Sequence, residues 1–183
     1  MAKQKSAQQV VQDKADSIMN GVATWCSFYR SNPQRFAKDF LHIELKLFQK
    51  ILLYEMMCNN FFIYTAARGQ GKTFLTSIFC VIRCILYPGS KIVIAAGVKS
   101  QAAEVIAKIK EDLLNNYSWG SANLRNEISE IKVGLNDSSC EFKNGSWIKI
   151  VAANDNARSK RANIIFVDEF RMVPKNVIDT VLK

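Results

Sequence analysis

The chain has 183 residues, 49% of them hydrophobic and 22% charged, with a formal net charge of +9; this suits one globular domain with its own core and, by its positive surplus, polyanionic partners. No apolar run approaches the roughly 18 residues of a membrane span, and the polar, lysine-dotted start, Met1 to Gln9, does not read as a secretory signal. Five cysteines, at 26, 58, 80, 84 and 140, form no C-x-x-C pair, which argues against a disulfide framework or a zinc site and fits a reducing cytoplasm.

Residues 1–40 read as a helical lead-in and residues 41–183 as the main domain, with Lys3 to Met19 a loose or helical start. Trp25, Phe28, Tyr29, Phe36 and Phe40 are expected to cap a core. The single histidine, His42, has no companion ligands and is read as structural. Glu44 to Met57 is predicted to be a helix, because Leu45, Phe48, Leu52 and Met56 fall at helical spacing. Asn60 to Ala66 (NFFIYTA) is a short apolar run, predicted to be a buried strand. Thr73 to Leu86 is apolar almost all round, as in a helix buried against a sheet; Cys80 and Cys84 are small core residues within it, and Pro88-Gly89 ends it.

Lys91 to Ala96 is a second buried strand, and Val98 to Asn115 an amphipathic helix with Ala102, Val105, Ile106, Ile109 and Leu113 on one stripe. Ile128 to Val133, Ser139 to Phe142 and Trp147 to Val151 are short strands, with Asn144-Gly145 as a hairpin turn between the last two. A polar, basic loop, Asn154 to Ala162, leads to a buried strand, Asn163 to Val167, and Pro174 to Leu182 begins another helix. Strands alternating with helices imply an α/β fold, a doubly wound, mainly parallel sheet flanked by helices. No internal repeat and no dividing linker is evident.

Two motifs carry chemistry. Residues 66–73 read A-A-R-G-Q-G-K-T, close to the phosphate-loop pattern G-x-x-x-x-G-K-[ST] with Ala66 in place of the first glycine. Gly69 and Gly71 let the backbone, Gln70 included, turn tightly and aim successive N–H groups at phosphate oxygens. A helix opening near Lys72 adds its positive end, Lys72 a cation for the terminal phosphates, and Thr73 a hydroxyl for Mg2+. The second motif is Ile164 to Val167 followed by Asp168-Glu169. Strand ends of a parallel sheet face the ligand crevice. Asp168 is placed to hold magnesium, and Glu169 to orient and deprotonate a water. The cofactors read from these motifs are ATP and Mg2+.

With these residues in view, the sequence resembles the ATPase domain of the large terminase subunit of tailed bacteriophages. Three stretches carry the resemblance: A-R-G-Q-G-K-T at 67–73; G-S-W-I-K-I-V-A-A-N-D-N-A-R-S-K-R-A-N at 145–163 running into I-I-F-V-D-E-F; and Leu47-Phe48-Gln49 upstream, placed like the family's adenine-contacting motif. The resemblance implies a P-loop fold of the RecA-like, ASCE type and an ATPase motor that drives double-stranded DNA into a procapsid. It implies that Gln49 reads the adenine edge, that Arg68 approaches the terminal phosphate from its own subunit, and that Arg158 reaches a neighbour's nucleotide as a finger. Lys160 and Arg161 are read as loop charges for DNA phosphates or solvent. Implied partners are a portal ring, the small terminase subunit and further copies in a ring, with no membrane, in the cytoplasm of an infected bacterium.

The family's ATPase core continues past its acidic pair, and a nuclease domain follows in full-length subunits. Neither part is found before Lys183, so a C-terminally incomplete core is expected. A helicase-like, nucleic-acid-dependent ATPase and a non-catalytic nucleotide-binding or assembly module stay open as other readings.

Overall fold

A computed structural model describes residues 6–67, 69–97, 99–115, 119–134, 137–152, 162–168 and 170. Helix α1 (Ala7–Ser31) starts at Ser6, whose side chain accepts from the Gln9 amide while Gln9 answers on the Ser6 amide, a reciprocal cap that satisfies two orphan donors. Helix α2 (Pro33–Asp39) opens on a proline, whose missing N–H costs nothing there. His42 follows in a left-handed turn, φ +54°, between buried Leu41 and Leu45. Then come α3 (Leu47–Cys58), α4 (Lys72–Leu86), β1 (Lys91–Ala96) and α5 (Lys99–Lys108), which runs on as a π-helical segment, Ile109–Leu114. Helix α6 (Trp119–Glu127) leads into β2 (Ile128–Lys132), β3 (Ser139–Phe142), β4 (Trp147–Ala152) and β5 (Ile164–Val167).

The sheet has the order β2-β3-β4-β1-β5. It is mixed rather than mainly parallel: β1 pairs parallel with β4 and β5, whereas β2-β3 and β3-β4 are antiparallel. The reason is local. Gly145 at φ +81° closes a tight turn between β3 and β4, and two strands joined that closely can only run antiparallel. Nor is the sheet doubly wound among the described residues. Ile92, Ile94, Ile148 and Ile150 point to one face and join the buried residues of α2 to α5 in a single core. On the other face Val93, Ala95 and Val151 gather only Trp147, Ala162 and Val167.

Helix α4 is the hub of the core. Leu75, Ile78, Ile82 and Leu86 are almost wholly buried, each contributing about 1.5–3 kcal/mol by leaving water. Its C-terminal carbonyls, orphaned as at every helix end, are capped from two sides. The Asn144 amide and the Ser146 hydroxyl, both from the β3-β4 turn, donate to the Cys84 carbonyl at 2.8 and 2.9 Å. The Arg30 guanidinium of α1 donates to the Leu86 carbonyl and lies over the Tyr87 ring. These caps tie α4 to the sheet by its far end and so set where its first turn sits.

Several expectations need correction. Asn60 to Ala66 is not a buried strand: residues 62–67 join no ladder, and Phe61 and Ile63 are 91% and 83% exposed. Phe62 and Tyr64 alone pack on the core; the run is apolar, but no described strand lies beside it. β5 is half-buried rather than buried, because among the described residues it is the edge of the sheet. The aromatic cap is divided: Phe36 is fully buried and stacks on Phe40 at 4.6 Å, while Trp25 and Phe28 stay 39% and 50% exposed. Glu44 to Lys46 precede α3 without being helical. Helix α6 was unforeseen in the sequence, since it is polar and, among its described side chains, buries only Ser121 and Leu124. Most of the Asn154 to Ala162 loop and the predicted helix Pro174 to Leu182 lie outside the described residues. Among the described residues no helix is long and apolar enough to cross a membrane.

Candidate functional site

Residues 62–67 precede two glycines in the left-handed region, Gly69 at φ +82° and Gly71 at φ +76°. No side chain adopts that conformation cheaply, so both glycines are there for the path of the backbone. Between them the Gln70 amide bonds the Ala67 carbonyl at 3.3 Å. Gly71 is the N-cap of α4, and the Leu75 amide closes the first turn on its carbonyl at 2.9 Å. Lys72 opens the helix. Its ammonium donates to the Ala66 carbonyl at 3.3 Å, folding back over the loop it follows. A cationic side chain and the free N–H groups of a helix start thus face one small volume, the arrangement that attracts an anion.

Gln49 of α3 approaches the same loop. Its Oε1 accepts from the Lys46 amide at 2.9 Å, which fixes the side chain across the first turn of α3. Its Nε2 lies 3.6 Å from where a side chain on Gly71 would begin. The helix cap therefore delivers the Gln49 amide to the glycine loop. A cavity of about 330 Å³ opens here, lined by Phe48 and Leu52 of α3, by Tyr64 to Ala67, and by Gln70, Gly71, Lys72 and Leu75. An apolar wall facing a polar loop is the usual make-up of a small-molecule site.

Asp168 follows β5, half-buried, with its amide on the Ala95 carbonyl at 2.9 Å. Thr73, the second residue of α4, is also half-buried. Tyr64 feels groups from both elements. Burial pushes its phenol up, the Asp168 carboxylate adds to this, and a hydrogen bond with Thr76 of α4 pulls the other way. Tyr64 thus senses both the helix that opens with Lys72 and the acid at the end of β5. Among the described residues no three His, Cys, Asp or Glu side chains group as a metal cage.

Comparison with known families matches residues 63–182, well over half of the chain, to the model described as the N-terminal part of the T4likevirus-type terminase large subunit. The chain belongs to this terminase family. The glycine loop, Lys72 and Asp168 all fall in the matched region, whereas Gln49 precedes it. Among solved structures the fold is similar to the ATPase domain of the large terminase of Thermus phage P74-26, with a TM-score of 0.61 and 17% identity. That match covers 79% of this chain and 61% of the other, so the terminase chain spans less than two thirds of that domain. A comparison with curated proteins finds no match.

Of the terminase residues read from sequence, Gln70, Gly71 and Lys72 line one cavity, and the Gln49 amide approaches Gly71. Thr73 is the second residue of α4, and Asp168 directly follows β5. Arg68, Arg158 and Glu169 lie outside the described residues. Sequence reasoning missed Tyr64 and Phe48 as site residues. Tyr64 stands four residues before Arg68 with the alternation of a strand, so its inward aim could have been read from the period. Phe48 is read from sequence only as a helical position beside Gln49; 41% exposed, it is a wall of the cavity.

Proposed function

We propose that this chain is the ATP-hydrolysing motor part of a viral DNA-packaging terminase. One observation carries the reading: two left-handed glycines directly precede a lysine that opens a 15-residue helix and folds back on its own loop. That geometry suits a nucleotide triphosphate. The loop amides and Lys72 take the phosphates, while Gln49 and the apolar side of Phe48 and Leu52 take the base. Thr73 and Asp168 hold Mg2+, which when bound neutralises charge on the phosphates. Glu169 orients a water and takes its proton. Arg68 meets the terminal phosphate from the same subunit, and Arg158 does so from a neighbour in the assembled ring.

Duplex DNA, the portal ring and the small terminase subunit are the partners this reading requires, and the +9 net charge supports the first of them. Turnover and attachment test it. The complete subunit should hydrolyse ATP faster with duplex DNA and associate with the portal ring of an empty procapsid. Turnover without portal association would favour a helicase-like enzyme. Nucleotide binding without turnover in the complete subunit would favour a non-catalytic assembly module.

A further inference from the structure

Two apolar stripes on this chain face solvent, and they match. Helix α1 runs unbroken for 25 residues. Its last turns sit on the body: Trp25 and Tyr29 meet Phe36 of α2 at 5.7 and 5.5 Å, and Arg30 caps α4. Upstream, Val11, Ala15, Ile18 and Val22 continue the same face at intervals of 4, 3 and 4 residues. All four are exposed, Val11 by 68% and Ile18 by 66%. This is the spacing of a helix that packs along another helix. Helix α3 carries the second stripe. Leu47, Ile51, Tyr54 and Cys58 follow at the same intervals of 4, 3 and 4, and all are exposed, Leu47 by 75%. Each stripe is about 17 Å long at 1.5 Å per residue.

We propose that α1 of one copy packs on α3 of the next, joining copies head to tail. A copy does not cover its own α3 in this way. Its α1 is one continuous helix held at its C-terminal end, and the stripe upstream lies against no described part of the same copy. The flanking charges set the direction. With the helices parallel, Val11 meets Leu47, Ala15 meets Ile51, Ile18 meets Tyr54 and Val22 meets Cys58. The small Ala15 and Cys58 leave room for Ile51 and Val22. Lys14 then aligns with Lys50 and reaches Glu55, five positions further on, as flanking charges do across a parallel seam. Run antiparallel, Lys14 falls opposite Met57, which is buried.

Such a contact is heterologous. Each copy gives its α1 to one neighbour and its α3 to the other, so the contact propagates until a ring closes. It rests on the proposed function for that closure, while the pairing itself needs no nucleotide. The seat lies on the helix that brings Phe48 and Gln49 to the cavity and the glycine loop, so a neighbour held there steadies that wall.

Sedimentation of the whole chain tests the pairing, and association should rise with concentration. Ile18→Asp on α1 and Tyr54→Asp on α3, both at positions too exposed to burden the fold, should each weaken it about tenfold or more, with Tm verifying the fold. Mixed, the two variants keep one intact pairing between them and should form dimers and nothing larger. Crosslinking fixes partner and direction. In a Cys26→Ser background, Val22→Cys should join Cys58 of another copy through a short bismaleimide and give a ladder of dimers and larger species. Cys58→Ser should abolish the ladder, and Val11→Cys in place of Val22→Cys should give none. A chain that stays monomeric, a mixture that recovers no dimer, crosslinks that persist without Cys58 (as paired α1 helices would give), or equal crosslinking from Val11→Cys would each overturn the proposal. Binding of an ATP analogue is read on the same samples. Failed association with ATP bound strikes this contact alone; association without ATP binding counts against the nucleotide reading alone.

Discussion

Gly71→Ala isolates the conformational demand of the loop. Gly71 sits at φ +76°, ψ 29°, as the N-cap of α4. An added methyl would meet only Gln49 Nε2, at 3.6 Å, an ordinary contact. Steric clash therefore contributes nothing, and the cost is that of placing an L-residue in the left-handed region, about 1–2 kcal/mol. For a domain of this size that lowers Tm by about 2–8 °C. Asparagine tolerates the conformation better, so Gly71→Asn should lose less. Gly21→Ala supplies the control. Gly21 lies inside α1 with nothing within 4 Å of the added methyl, and there the exchange should be neutral or stabilising, by up to about 1 kcal/mol. Thermal and urea unfolding of the three variants read the signs directly. If Gly71→Ala matched or exceeded the wild type in stability, the loop would not hold the left-handed turn on which the phosphate site depends.

Three further outcomes follow from the same residues. Glu169→Gln in the complete subunit should bind ATP yet hydrolyse it about 10²–10⁴-fold more slowly, measured by phosphate release; near-normal release would move the base elsewhere. Arg158→Ala should leave ATP binding by the isolated chain unchanged and depress turnover in the assembled ring, and mixing it with Glu169→Gln subunits should restore part of the activity; no recovery despite confirmed co-assembly would argue against action across subunits. Among the thiols, burial pushes Cys80, Cys84 and Cys140 up, Cys140 to about 12. Their thiolates are scarce at pH 8, so iodoacetamide should label exposed Cys58 first and those three only on unfolding, as peptide mass mapping would report; labelling of Cys140 at the rate of Cys58 would contradict the packing of α4 on the sheet.

What was legible in the sequence followed from periodicity. The stripe Ala102, Val105, Ile106, Ile109 and Leu113 is buried throughout, and the all-round apolar α4 is the hub of the core. Asn144-Gly145 turned as its chemistry demands. The failures have physical causes too. NFFIYTA is apolar enough for a buried strand, but burial depends on a neighbour, which no local pattern reveals. The parallel sheet was inferred from strand–helix alternation, while the β3-β4 turn, read correctly by itself, already required an antiparallel half. On α3 helical spacing alone did not reveal that Leu47, Ile51 and Tyr54 stay exposed while Phe48 lines the cavity. The glycine loop could be read because its residues are adjacent. Tyr64, whose phenol is raised first by burial and also by the Asp168 carboxylate, depends on packing between segments over a hundred residues apart.

Equilibrium binding of a fluorescent ATP analogue with Mg2+ to the wild-type chain and to Lys72→Ala tests the central claim most directly. Lys72 is half-buried at the start of α4 and its ammonium touches only the Ala66 carbonyl among the described hydrogen bonds, so its loss should spare the fold, as circular dichroism and Tm would verify. The account predicts saturable binding by the wild type and none by the folded variant. Undiminished, saturable affinity in folded Lys72→Ala would contradict it.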